Sequence, residues 1–123
     1  MRTFTIEGDS NAPSILIDEE KSLVEISGYS TLKDTNWFYS NLLKWLIAFN
    51  IGNSKTETIN IRLKRMNDSS TKWLSLIFKK LVNLLPSASF EINWYMESRN
   101  HRVLACGKSF QQLAGLRVNL IGG

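Results

Sequence analysis

A chain of 123 residues with 43% hydrophobic and 21% charged side chains has the composition of one folded domain, not of a disordered tail, and its length leaves little for a second core. Fifteen Lys and Arg against eleven Asp and Glu give a formal charge of +4, dispersed in small groups such as Lys64 with Arg65 and Lys79 with Lys80, which describes solvated faces better than one polyanion-binding run. Cys106 is the only cysteine, which excludes an intrachain disulfide, and His101 is the only histidine, so the two make no converging metal set and no cofactor is called for. The richest apolar window, Trp37 to Ile51, is broken by Ser40, Asn41, Lys44 and Asn50 and falls short of a membrane span. Met1 to Ser10 carries Glu7 and Asp9 where a secretory signal has its apolar core, so a cytoplasmic chain without membrane insertion is expected.

In chain order, "FTI" at 4–6 and "SILID" at 14–18 are short β-branched runs separated by a turn from Gly8 to Pro13. "SLVEIS" at 22–27 follows "EEK", which predicts a hairpin whose Asp18, Glu19 and Glu20 are solvated turn residues, and Gly28 ends the strand. From Asp34 the period changes: Phe38, Leu42, Trp45, Leu46 and Phe49 recur at spacings of three and four, the pattern of an amphipathic helix. Asp34 or Thr35 caps it and Gly52 with Asn53 stops it. Trp37, Tyr39, Leu43 and Ile47 widen the stripe, which predicts a helix that is deeply buried or serves a partner, and the rest of the pattern favours burial.

"ETINIRLK" at 57–64 alternates strictly, with Ile59, Ile61 and Leu63 on one side and Asn60, Arg62 and Lys64 on the other. The next helix runs from about Ser69 to Leu85, with Leu74, Ile77, Phe78, Leu81 and Leu85 inward, Lys72, Lys79, Lys80 and Asn83 outward, and Pro86 closing it. "SFEINWYM" at 89–96 alternates again, placing Phe90, Ile92, Trp94 and Met96 inward. A weaker helix from Asn100 to Leu113 leads through Gly115 to a last strand at 116–121. The order predicts a single-domain α/β fold: an N-terminal hairpin, then βαβαβαβ, in one mixed sheet of the STAS-like kind, with helices mainly on one face because the strands carry one apolar and one polar side.

Between a strand and a helix lies "NDSSTKW", comprising Asn67, Asp68, Ser69, Ser70, Thr71 and Lys72 before Trp73. First-turn N–H groups of a helix have no intrahelical partner, and Asn67, Asp68, Ser69 and Ser70 are all good N-cap residues, so capping alone accounts for part of the cluster. Nucleophilic catalysis requires an activating base and a site for the developing charge. Here the one imidazole is His101, and neither a Gly-x-Ser-x-Gly elbow nor a glycine-rich phosphate loop is present, which leaves a small enzyme dependent on His101 as a minor reading. A phosphoryl group asks less of its surroundings: at a helix N-terminus the fold tolerates its charge, while a partner that docks on a neutral hydroxyl does not. A nucleic-acid surface on the polar sheet face, from Arg62, Lys64, Arg65 and Arg117 with Tyr95 for stacking, is the alternative.

Asn67-Asp68-Ser69-Ser70 followed by Lys72, with "ISGYS" at 26–30, "WFYSNLLKWL" at 37–46 and "INWYM" at 92–96, resembles the SiaC-type bacterial regulatory phosphoproteins over nearly the whole chain. Asp68-Ser69-Ser70 after a strand is also similar to the phosphorylation motif of STAS-fold anti-sigma factor antagonists. The resemblance implies a non-catalytic partner switch: a cognate Ser/Thr kinase modifies the protein, a phosphatase restores it, and the unmodified form binds and activates a diguanylate cyclase in cyclic di-GMP and biofilm signalling. In the SiaC-type pattern a Thr or Ser directly follows the Asn and accepts the phosphate, whereas here Asp68 occupies that place. Either Asp68 supplies a fixed single charge, or Ser69 is the acceptor with Asp68 as its acidic neighbour. Thr31, Leu32 and Lys33 also depart from the family's tendency toward an aromatic or polar residue followed by Pro-Glu, replacing an acid with a base.

Overall fold

The computed structural model describes residues 3–48, 56–84, 89–97, 99–113 and 117–122. The strands are β1 (Thr3–Ile6), β2 (Ser14–Asp18), β3 (Leu23–Ser30), β4 (Thr56–Met66), β5 (Ser89–Met96) and β6 (Arg117–Gly122). The helices are α1 (Thr35–Ala48) between β3 and β4, α2 (Asp68–Leu84) between β4 and β5, and α3 (His101–Phe110) between β5 and β6. All six strands lie in one sheet in sequence order, antiparallel through the first three and parallel from β3 onward. Parallel neighbours in sequence order, each joined through a helix, form right-handed crossovers that place the helices on one face.

That face carries the core. Ile15, Ile17, Val24, Ile26, Ile59, Ile61, Leu63, Phe90, Ile92 and Trp94 of the strands are buried in one cluster with Phe38, Tyr39, Leu42 and Leu46 of α1, Leu74, Ile77, Phe78 and Leu81 of α2, and Val103, Cys106 and Phe110 of α3. The strict alternation of β4 is thus realised, with Arg62 and Lys64 exposed opposite buried Ile61 and Leu63. Phe110 sits edge-on to both Phe78 and Trp94, with centroids 5.2 and 5.3 Å apart, which locks α2 and α3 together over β5.

Gly28 does not end β3. The strand continues to Ser30, and its pairing with β4 passes from Gly28↔Leu63 to Tyr29↔Arg65, skipping Lys64. Gly28 takes φ 99°, a conformation that a side chain disfavours, so the glycine makes a bulge possible where the sequence suggested a stop. The bulge resets the strand phase: Leu63 and Met66 both face the core, while Lys64 and Arg65 are both exposed.

The helix boundaries differ slightly from those expected. Asp34 caps α1, its Oδ1 accepting from Trp37 N at 3.0 Å. Deep burial of that helix is corrected at two positions, because Trp37 is 63% and Ile47 46% exposed although Tyr39 is fully buried. The stop signals at Gly52, Asn53, Pro86 and Gly115 lie outside the described residues, as do Phe49, Leu85 and Leu116. The last helix is shorter than expected, spanning His101–Phe110 behind an N-cap at Asn100 whose side chain accepts from Arg102 N and Val103 N.

Gly107 marks the closest approach of α3 to the sheet. A Cβ at this position would lie 2.6 Å from Trp94 Nε1, and the fully buried indole cannot retreat without losing its 3.0 Å hydrogen bond to Val103 O. Gly107→Ala is therefore expected to cost about 1–3 kcal/mol through overpacking. Urea unfolding should show an earlier midpoint with an unchanged slope; an unmoved midpoint would mean that the ring is not held against the helix.

Candidate functional site

Asn67 is the only residue between the end of β4 and the start of α2, and it is tied on every side. Its N–H donates to Ser30 O and its side-chain amide to Leu32 O, both at 2.9 Å. Its Oδ1 accepts from Ser70 N at 2.9 Å and its carbonyl from Thr71 N at 3.2 Å, the geometry of an N-cap, so the helix begins one residue earlier than the apolar period suggested.

Beneath this turn lies a chain of buried hydroxyls. Tyr39 of α1 is hydrogen-bonded to Ser30 Oγ at the end of β3, and Ser30 Oγ donates to Ser70 Oγ at 2.7 Å. The Ser70 proton has two acceptors, Ser30 O at 2.8 Å and Asn67 Oδ1 at 2.7 Å. All three hydroxyl-bearing residues are fully buried. Ser30 lies in the inward phase of β3 with Val24 and Ile26, and the bulge re-phases β4 so that Met66, its pairing partner, turns inward beside it. The sequence offered no signal for Ser30 or Tyr39 as parts of the site beyond their place in the "ISGYS" and "WFYSNLLKWL" segments.

The two serines of the motif therefore have opposite fates. Ser70 is enclosed and committed to hydrogen bonds, whereas Asp68 and Ser69 are exposed on the outer side of the first turn, and Lys72 is exposed one turn further on. Thr71 is half-buried and its hydroxyl donates to Asn67 O at 3.3 Å. Asp68 is ion-paired with Arg102 from the first turn of α3, a partner that no local pattern in the sequence indicated. The Asp68 side chain is 83% and the Arg102 side chain 45% exposed, so this is a surface pair worth at most about 1 kcal/mol. Its effect is to set a positive charge beside the aspartate at the mouth of the helix.

Around the turn lies apolar surface. Trp73 Nε1 donates to Asn36 Oδ1 at 2.7 Å, which joins the first turn of α1 to the second turn of α2 and sets exposed Trp37 at the same end of the helical layer as Ser69. On the other side, a groove of about 530 Å³ runs between α2 and α3, with Leu76 and Leu113 in its wall and Lys72 and Lys79 at its rim.

The other chemistry-bearing residues lie apart from this turn's surface. His101 is exposed at the start of α3, and Cys106 is 4% exposed in the core. Burial pushes the Cys106 thiol up to about 11, against a hydrogen bond with the Thr71 side chain, so at neutral pH it is a protonated thiol and a poor nucleophile. Among the described residues no group of three or more His, Cys, Asp or Glu is arranged to hold a metal ion, and no helix is long and apolar enough to cross a membrane.

Burial likewise pushes the Tyr39 phenol up to about 12, with hydrogen bonding to the Ser30 and Ser70 side chains opposing the rise. The folded protein therefore favours the neutral phenol, and this contribution is fully present below pH 10. It is lost as pH rises from 10 to 12, where the tyrosine of the unfolded chain ionises first, by up to about 3 kcal/mol. Tyr39→Phe removes this dependence. At pH 8 the variant should be less stable by about 0.5–1.5 kcal/mol for the lost hydrogen bond, and by pH 11.5 that gap should close or reverse in urea unfolding. A gap independent of pH would show that the phenol is not buried in this network.

Three solved structures and one family model match the chain. The model of the SiaC family of regulatory phosphoproteins matches residues 6–122. Apo-SiaC from Pseudomonas aeruginosa superposes with a TM-score of 0.80 at 18% identity, over 98% of this chain and 99% of that one. A second crystal structure, of the diguanylate cyclase SiaD in complex with its activator SiaC from the same organism, gives 0.83 at 19% identity over 98% and 99%. A further structure of SiaC of Pseudomonas aeruginosa gives 0.83 at 18% identity over the full length of both chains. At these identities the superpositions establish the fold. A comparison with curated protein sequences finds no match.

Proposed function

The chain belongs to the SiaC family of regulatory phosphoproteins, and on that footing we propose that it is a non-catalytic partner switch that binds and modulates a diguanylate cyclase and is controlled by phosphorylation of Ser69. The Pseudomonas aeruginosa protein of the same fold is the activator of the diguanylate cyclase SiaD, which supports a cyclase as the partner. A cognate kinase and phosphatase, acting in the cytoplasm, complete the cycle.

One observation carries the choice of residue: of the two adjacent serines, Ser70 is sealed in the hydroxyl chain and Ser69 is exposed. Asp68 occupies the place that the resemblance assigns to the acceptor, but Arg102 already stands against its charge. A docking partner therefore meets a nearly neutral turn. A phosphoryl group on Ser69 adds about −1.5 to −2 charges and three acceptor oxygens, more than one guanidinium can balance. The first-turn amides retain that charge in the fold, while exposed Trp37 and the groove beside Leu76 supply the apolar surface that a partner must approach to bury.

Incubation with the cognate kinase should place phosphate on Ser69, and Ser69→Ala should take up none between residues 67 and 72 while still binding the cyclase. Ser69→Glu should weaken cyclase binding at least about tenfold, or 1.4 kcal/mol. Asp68→Asn should change it by less than about threefold, as expected for one partner of a surface pair. Phosphate found outside this segment removes Ser69 from the switch. A tenfold response to Asp68→Asn, with none to Ser69→Glu, assigns the control to the fixed charge instead.

A further inference from the structure

The face of the sheet away from the helices holds a second feature that the switch does not use. Where the bulge leaves Gly28 without a side chain, no atom lies within 4 Å of its Cβ position, and a cavity of about 610 Å³ opens between β3, β4 and β5. Arg62, Lys64, Tyr95 and Glu97 line it with Gly28. The Arg62 guanidinium lies over the Tyr95 ring, 3.6 Å from its centroid, and Arg62 Nη1 is 2.6 Å from Glu97 Oε1. The guanidinium is thus held against the ring, and its side chain is still 44% exposed, which leaves its outer face as a stacking platform. Lys64 Nζ is 5.9 Å from the Tyr29 ring centroid, a second pairing of cation and aromatic at the edge of the cavity.

From this geometry we infer that the cavity binds a free nucleotide, with the base stacked on the Arg62–Tyr95 pair and the phosphate met by Lys64 of the cavity wall. The bulge brings Arg65 out next to Lys64, as regular alternation would not, which adds a second positive charge just outside the lining. A volume of about 610 Å³ lies in the usual range for small-ligand sites. The rings and the stacked guanidinium select for a planar base over a bare anion. The rest of the face selects against a nucleic-acid strand: Glu25 of β3 and Glu91 of β5 lie on the same polar side, opposite in phase to buried Ile26 and Ile92, and would repel phosphates laid across the sheet. Tyr29 joins Tyr95 as an aromatic of this face, although the sequence pointed to Tyr95 alone.

Titration of the full chain with GMP, followed by amide chemical shifts, tests the assignment. GMP should bind with a Kd below about 1 mM and move the amides of residues 27–29, 62–65 and 95. Guanosine and inorganic phosphate should each bind at least tenfold more weakly, because each supplies half of the contacts. Lys64→Ala and Tyr95→Leu, each checked for an otherwise unchanged amide spectrum, should each weaken GMP at least tenfold. Shifts absent at saturating GMP overturn the site. Phosphate binding as tightly as GMP reduces it to an anion site, and a ten-residue oligo-dT binding more tightly than GMP, with shifts across the whole face, makes it a nucleic-acid surface; either result also overturns it.

Discussion

The hydrogen-bonded run from Tyr39 through Ser30 to Ser70 and Asn67 is the constraint on which the candidate switch depends. Each hydroxyl has one proton to give, so the run has a consistent direction: the phenol donates to Ser30, Ser30 to Ser70, and Ser70 to the cap or to the Ser30 carbonyl. Three elements, α1, β3 and α2, are thereby tied at one buried point, where a broken link would leave a buried hydroxyl without a partner at a cost of about 1–3 kcal/mol. Fixing Ser70 fixes the rotation of the first helical turn. With about 100° between successive residues, a Ser70 aimed at the core sends Asp68 and Ser69 toward solvent. Two chemically identical neighbours are sorted into one that holds the helix and one that is exposed to solvent.

The bulge between β3 and β4 sets the phase in which β4 arrives at this arrangement. Without the skipped residue, the phase that buries Leu63 would turn Met66 outward and draw Arg65 into the core. The shift at Gly28 instead turns Met66 inward beside Ser30, which the alternation of β3 already buries, and it also sets Lys64 and Arg65 together on the opposite side. A single change of register in β4 therefore shapes both surfaces of the sheet at its carboxyl end: an apolar side chain beside Ser30 at the foot of α2 on one side, and a basic, aromatic-lined hollow on the other.

Most of the fold was legible because its strands carry one apolar and one polar side. Ile59, Ile61 and Leu63 could face only a layer of helices, and the polar sides of β4, β5 and β6 could not, so the single-sided packing followed from alternation. Gly28 misled because a glycine after an alternating run reads equally as a stop and as a bulge; what decides is the partner strand, 35 residues away in sequence. Trp37 misled because an indole beside an apolar stripe reads as core until the width of the neighbouring helices is known. The switch region was legible as a cap and as a hydroxyl cluster, but not as a sorted one, since nothing local distinguishes Ser69 from Ser70. The ion pair of Asp68 with Arg102 joins residues on different helices and leaves no trace in spacing.

That ion pair bears on what a charge at the helix mouth can signal. Under the proposed switch, an aspartate alone in this position would add its charge permanently to the docking surface, and a partner intolerant of charge would be excluded at all times. Arg102 offsets most of that field while costing the fold almost nothing, because both side chains remain largely in water. The turn then presents little net charge, and under the proposed switch the difference between states is carried by the modification alone. Under the proposed phosphorylation of Ser69, the guanidinium paired with neighbouring Asp68 gains a competing anion, toward which it can make the stronger, bidentate contact. Phosphorylation would then draw Arg102 from Asp68 and leave the aspartate bare, so that the docking surface gains the charge of the phosphate together with that of a carboxylate no longer masked.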